Sequence, residues 1–241
     1  LDGLGPHGHL TQLMPQPPLH GSFWRPDLSY DAQKVVFCFK PHNEKSFHLY
    51  EVGIDGSGLR QLTEGPYDDL DPIYLPDGRI IFTSTREPKF CMCNRHIMAN
   101  LYRMESDGAN IRQIGKSTLF EGHAALLPDG RLIYDRWEYI DRNFGDAQGL
   151  WTVNPDGTGQ MVYYGNMHPG TVMLDAKPIP GTDNRVVLVD SSGGAVDRPS
   201  HADGSLAGLT DPEDPLRIDA SLAGGPRQYV GLFQQLAERR G

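Results

Sequence analysis

Cysteine is scarce in this chain. Cys38, Cys91 and Cys93 are the only three among 241 residues, too few for a disulfide framework and odd in number. Cys91 and Cys93 are separated by one residue, so a bridge between them would be strained. No run approaches the roughly 18 consecutive apolar residues that a membrane-spanning helix needs. Positive charge is short as well. The formal net charge is −9 with the basic residues dispersed, which argues against a nucleic-acid partner and the basic footprint it requires. Gly-x-Ser-x-Gly, His-Glu-x-x-His, P-loop and dinucleotide fingerprints are missing, so a serine hydrolase, zincin or nucleotide enzyme would need its chemistry on another segment. No signal peptide is visible, and the chain opens on Leu1 rather than Met, as a trimmed chain or a fragment would.

What is abundant is turn and strand. The chain holds 28 Gly and 19 Pro with 38 % hydrophobic residues, which suits many short strands joined by tight turns. Leu75-Pro-Asp-Gly-Arg79 returns as Leu127-Pro-Asp-Gly-Arg131, and Leu49-Tyr-Glu-Val52 returns as Leu101-Tyr-Arg-Met104 and Leu150-Trp-Thr-Val153. The following turn returns as Asp55-Gly56, Asp107-Gly108 and Asp156-Gly157. Four short strands repeating about every 50 residues point to stacked sheets, because one such sheet cannot bury both faces alone. The expected fold is all-β: a β-propeller of about four four-stranded antiparallel blades, with a short C-terminal helix. Gly78 and Gly130 are expected at positive φ in the Pro-Asp-Gly turns.

Three regions follow. Residues 1–26 read as a lead-in containing the outer strand of a preceding blade, because Asp2-Gly3 with Leu10-Thr-Gln-Leu13 resembles Asp55-Gly56 with Leu59-Arg-Gln-Leu62. Residues 27–194 read as blades. Residues 195–241 read as an irregular tail with a helix over 226–239, where Pro226 opens the pattern, Tyr229, Phe233 and Leu236 share a face, and basic residues close it.

The repeat Asp-x-x-Pro-x-x-x-Pro-Asp-Gly-Arg-Ile-x-Phe, then Leu-Tyr, then Asp-Gly-x-x-x-Arg-Gln-Leu, resembles the TolB-like (WD40-like, PD40) β-propeller repeat over roughly 27–190. A narrower resemblance is to the propeller region of hydrazine synthase alpha-subunit-like proteins. It rests on 56–85, on 127–134 with Arg136-Trp-Glu-Tyr139, on 150–162, and on Gly165-Asn-Met-His-Pro-Gly170 and Asp175-Ala-Lys-Pro-Ile-Pro-Gly181. That resemblance implies a multidomain, extracytoplasmic or periplasmic polypeptide and, in the synthase itself, a subunit of a c-type-haem enzyme complex. Haem attachment needs Cys-x-x-Cys-His; the nearest text here is Cys91-Met-Cys-Asn-Arg-His96.

Several residues are candidates for a site. Asp69, Asp71, His123 and Asp175 belong near the start of innermost strands, at the mouth of the central channel, as a cation or polar-ligand site or as acceptors for backbone amides. Cys91, Cys93 and His96 offer soft ligands for zinc or haem iron, completed by other segments, or are small apolar and surface residues. Arg136, Trp137, Glu138 and Tyr139, with His168, mix aromatic and charged character as interaction surfaces do, or as a packed blade edge does. The longer connections should share the face opposite the short turns, and function is expected there. Three functions stay open: a scaffold propeller presenting that face to a protein partner or neighbouring domain, a redox or metal-assisted enzyme subunit, and a small-ligand-binding propeller.

Overall fold

The computed structural model describes residues 20–91, 97–138, 148–164, 173–182, 185–190 and 206–208. It is all-β in these residues, and the strands fall into four antiparallel sheets in chain order. Blade 1 consists of β1 (Gly21–Leu28), β2 (Lys34–Pro41), β3 (His48–Gly53) and β4 (Arg60–Gln61). Blade 2 consists of β5 (Asp69–Tyr74), β6 (Ile80–Ser84), β7 (Asn100–Met104) and β8 (Arg112–Gln113). Blade 3 consists of β9 (Phe120–Leu126), β10 (Leu132–Trp137), β11 (Gln148–Val153) and β12 (Met161–Tyr164). Blade 4 shows β13 (Met173–Pro178), β14 (Val186–Asp190) and β15 (Leu206–Gly208). In every sheet the strands are ordered as in the sequence, the meander of a propeller blade.

Two boundaries differ from the sequence reading. Blade 1 begins at Gly21, inside the stretch assigned to the lead-in, because β1 pairs with β2 from Gly21↔Pro41 to Leu28↔Val35. Blade 4 gains its third strand, Leu206–Gly208, beyond the point where the repeat fades, through the pairing Val189↔Leu206. The helix expected over 226–239 lies outside the described residues.

The turns follow from local chemistry. Leu75 N–H donates to Arg79 O and Gly78 N–H to Leu75 O, at 2.8 and 2.9 Å, and the Leu127–Arg131 turn repeats the pair. Gly78 and Gly130 adopt φ of 86° and 87°, a region closed to most side chains.

Burial between blades holds the sheets together. Val36, Cys38, Leu49 and Leu62 of blade 1 meet Tyr74, Ile80, Phe82, Tyr102 and Met104 of blade 2. Leu75, Ile81, Leu101 and Ile114 of blade 2 meet Ala124, Leu132, Tyr134 and Val153 of blade 3. Ala125, Leu127, Ile133 and Leu150 of blade 3 meet Met173, Ala176, Val186 and Leu188 of blade 4. Period-2 alternation explains this: Ile80 and Phe82 face one neighbour while Ile81 faces the other. Each large side chain so buried contributes about 1.5–3 kcal/mol.

Candidate functional site

Each innermost strand carries the same defect. In β1, Arg25 and Pro26 together oppose Phe37; in β5, Asp71 and Pro72 oppose Phe82. In β9, His123 and Ala124 oppose Tyr134, and in β13, Asp175 and Ala176 oppose Leu188. Two residues against one is a β-bulge. The first residue of each bulge is left-handed, with φ of 47° at Arg25, 51° at Asp71, 51° at His123 and 54° at Asp175. Such conformations cost non-glycine residues on the order of 1–3 kcal/mol each and persist where surrounding structure demands them. Their effect is to break strand alternation, so that the four side chains leave the interblade layers and converge on the axis.

There they form one network. Arg25 Nη1 lies 2.7 Å from Asp175 Oδ2, and Arg25 Nε lies 3.5 Å from Asp71 Oδ1. Trp24 Nε1–H donates to Asp71 Oδ1 at 3.2 Å. His123 Nδ1–H donates to the buried Asp135 carboxylate of β10 at 2.9 Å, and its Nε2 faces Asp71 Oδ2 at 3.7 Å. Asp175 N–H donates to Asp135 Oδ1 at 3.2 Å, and Lys177 Nζ lies 3.1 Å from Asp175 Oδ1. A guanidinium thus sits between two carboxylates, in the position a bound cation would take. Among the described residues, no three His, Cys, Asp or Glu side chains gather as a metal cage.

The network's charges are mutually held. Burial opposes the protonated imidazole of His123, yet the hydrogen bond and charge of Asp135, with the charge of Asp71, raise its pKa above the ordinary value. Burial raises the pKa of Asp135, against the pull of His123. Asp175 is held below the usual carboxylate range: Lys177 and Arg25 overcome its burial.

Beyond the bulges, toward the ends of the inner strands, a cavity of about 400 Å³ opens, with Arg25, Asp27, Asp71, His123 and Lys177 among its walls. Pro72, Ala125 and Pro178 supply apolar surface. This cavity lies on the side of the Pro-Asp-Gly turns, opposite the face of long connections on which function was expected.

The other candidates separate from this centre. Asp69 precedes the bulge and stays in the interblade layer, fully buried, accepting from Ser84 Oγ at 2.6 Å and Arg86 Nη2 at 2.9 Å. It is not a channel-mouth residue, because only the left-handed residue two positions later turns inward. Its counterpart in blade 3 is Glu121, which no spacing in the sequence marks as chemical. Glu121 accepts from Asn100 Nδ2 at 2.8 Å and Arg136 Nη1 at 3.2 Å. Arg136 also lies over the Trp151 ring, 4.4 Å from its centroid, and pairs with Glu138. Arg136 is therefore an internal tie and not an open surface, and Trp137 accepts at its carbonyl from Ser117 Oγ. Cys91 is buried; Cys93, His96, Tyr139 and His168 lie outside the described residues. A buried Cys91 in a Cys-x-Cys-x-x-His setting does not fit thioether attachment of a haem. Arg25 and Asp135 escaped sequence reasoning, although Arg25-Pro26 repeats the form of Asp71-Pro72.

Comparison with known proteins agrees with this architecture. The chain is 23 % identical over 237 residues to hydrazine synthase subunit alpha of Kuenenia stuttgartiensis, covering 85 % of this chain and 27 % of that protein. The solved Kuenenia stuttgartiensis hydrazine synthase superposes with a TM-score of 0.68 at 22 % identity, over 78 % of this chain and 31 % of that one. A Mycobacterium tuberculosis puromycin-hydrolyzing peptidase superposes with a TM-score of 0.53 at 14 % identity, over 83 % of this chain and 30 % of that one. A family model described as glucosylglycerol-phosphate phosphatase matches residues 178–237, a minority of the chain. The chain thus spans less than a third of the hydrazine synthase subunit it resembles. It is a β-propeller chain that resembles the TolB-like repeat and the alpha subunit of hydrazine synthase.

Proposed function

We propose that this chain is a scaffold: a TolB-like propeller segment of a hydrazine-synthase-alpha-like, extracytoplasmic polypeptide that holds neighbouring domains or a protein partner in place. The observation that carries this reading is the axial network, in which Arg25, Asp71, His123, Asp135 and Asp175 satisfy one another across all four blades. Groups so engaged tie blades together and, among the described residues of the network, leave no nucleophile beside an available base. Any haem or zinc belongs to other segments of such a polypeptide. Metal analysis and an absorption spectrum of the purified chain test this. A colourless protein without stoichiometric metal is the expected result; a Soret band, or one equivalent of zinc lost in Cys93→Ser, overturns it in favour of a redox or metal-assisted subunit.

The cavity above the network favours a second reading, a propeller that binds a small polar ligand. A rise in melting temperature with millimolar amino acids or polyols, abolished in Lys177→Ala, would support it; no shift with either class would remove it.

A further inference from the structure

Two positions past its left-handed residue, each innermost strand has returned to its ladder. Blades 1 to 4 place Asp27, Ile73, Ala125 and Lys177 there, opposite Val36, Ile81, Ile133 and Val187. All four line the cavity of about 400 Å³. Blades 2 and 3 have apolar residues at this position, whereas blades 1 and 4 have opposite charges. Arg25 of β1 reaches Asp175 of β13 at 2.7 Å, so the two charged strands lie within a side chain's reach of each other.

The two charges do not pair. Asp27 Oδ2 accepts from the Tyr74 backbone N–H at 2.7 Å, and among the described residues no cation forms an ion pair with it. Burial raises its pKa, although the charge of Lys177 is near enough to pull the other way. Lys177 Nζ instead lies 3.1 Å from Asp175 Oδ1, a carboxylate already held by Arg25. Asp175 therefore has two cations and Asp27 has none. Partly buried charges in this state lose hydration without gaining an ion pair.

We propose that the cavity takes a free α-amino acid, its ammonium group on Asp27 and its carboxylate on Lys177; the inference rests on the ligand-binding reading above. A zwitterion supplies the cation that Asp27 lacks and gives Lys177 an anion of its own.

The rest of the wall sets the side chain. Ile73, Ala125 and Leu126, with Pro72 and Pro178, present hydrocarbon between the two charged ends. That lining suits an aliphatic or aromatic side chain and disfavours a polyol, whose hydroxyls would be buried there without partners. The volume falls in the range of small-molecule pockets, about 300–1,000 Å³.

Isothermal titration of the 241-residue chain with L-leucine and L-phenylalanine tests this. Each is compared with an analogue lacking the carboxylate (isopentylamine, phenethylamine) and one lacking the ammonium (4-methylpentanoate, 3-phenylpropanoate). At least one amino acid should bind, and removal of either end group should weaken binding about tenfold or more. Asp27→Asn, which keeps an acceptor for the Tyr74 N–H, should bind the amino acid and its acid-only analogue equally. Lys177→Met, which leaves Asp175 to Arg25, should bind the amino acid and its amine-only analogue equally. A one-ended analogue that binds wild type as tightly as the amino acid overturns the proposal without recourse to either variant, and so does a variant that keeps the wild-type preference. A polyol such as erythritol that binds where neither amino acid does also overturns it, while leaving the ligand-binding reading in place. Absence of binding by every compound removes both.

Discussion

At the scale of single residues, the centre of the molecule is made by four left-handed side chains that are not glycine. Asp71, His123 and Asp175 were legible as equivalent positions because the repeat places them four residues before a turn. Arg25 was not, because the loop between β1 and β2 lacks the Leu-Pro-Asp-Gly landmark and the register could not be carried back. Asp135 was hidden for another reason: an acid in an alternating strand looks like a solvent-facing one. The network has a titration signature. His123 has its pKa raised on folding, so the stability it contributes is complete below the ordinary imidazole value, about 6.5, and is lost as pH rises through the folded value. The raised Asp135 acts in the same direction, whereas the lowered Asp175 contributes above the ordinary carboxylate value and is lost as pH falls through its folded value. Melting curves from pH 5 to 9 should therefore decline on the alkaline side, and His123→Gln should flatten that decline. A wild-type curve level across the range would show that the imidazole is not charged by its neighbours.

At the scale of elements, strands and turns were the most readable part, since Pro-Asp-Gly and Asp-Gly state their own backbone conformation. Gly78→Val and Gly130→Val test it cleanly. An added Cβ at either site meets no atom within 4 Å, so the whole cost is backbone conformation, about 1–3 kcal/mol in urea unfolding. Variants as stable as wild type would remove the turn assignment. Less readable were the ties between sheets, because they join residues by packing rather than by spacing. Glu121 is one: it is fully buried and serves Asn100 of blade 2 and Arg136 of its own sheet. Glu121→Gln should cost about 1–3 kcal/mol, since it removes a buried charge-assisted contact while Arg136 keeps Glu138 as a counter-charge. A double-mutant cycle with Asn100→Ala should return a coupling of about 1 kcal/mol; additive losses would place the two groups out of contact.

At the scale of the whole molecule, the repeat announced propeller architecture but not where blade 1 starts or where blade 4 finds its third strand. Those limits are set by pairing partners, Gly21 with Pro41 and Val189 with Leu206, and neither pair has a local motif. Among the described residues the four sheets share no ladder of main-chain hydrogen bonds; oily layers and ionic contacts hold each to the next. Pulled from its ends in an optical trap, the chain should then yield as a sawtooth, one sheet per tooth. Each tooth should release roughly 50 residues, or about 17 nm of contour. A single rip through all four sheets would mean that the hub couples them into one mechanical body.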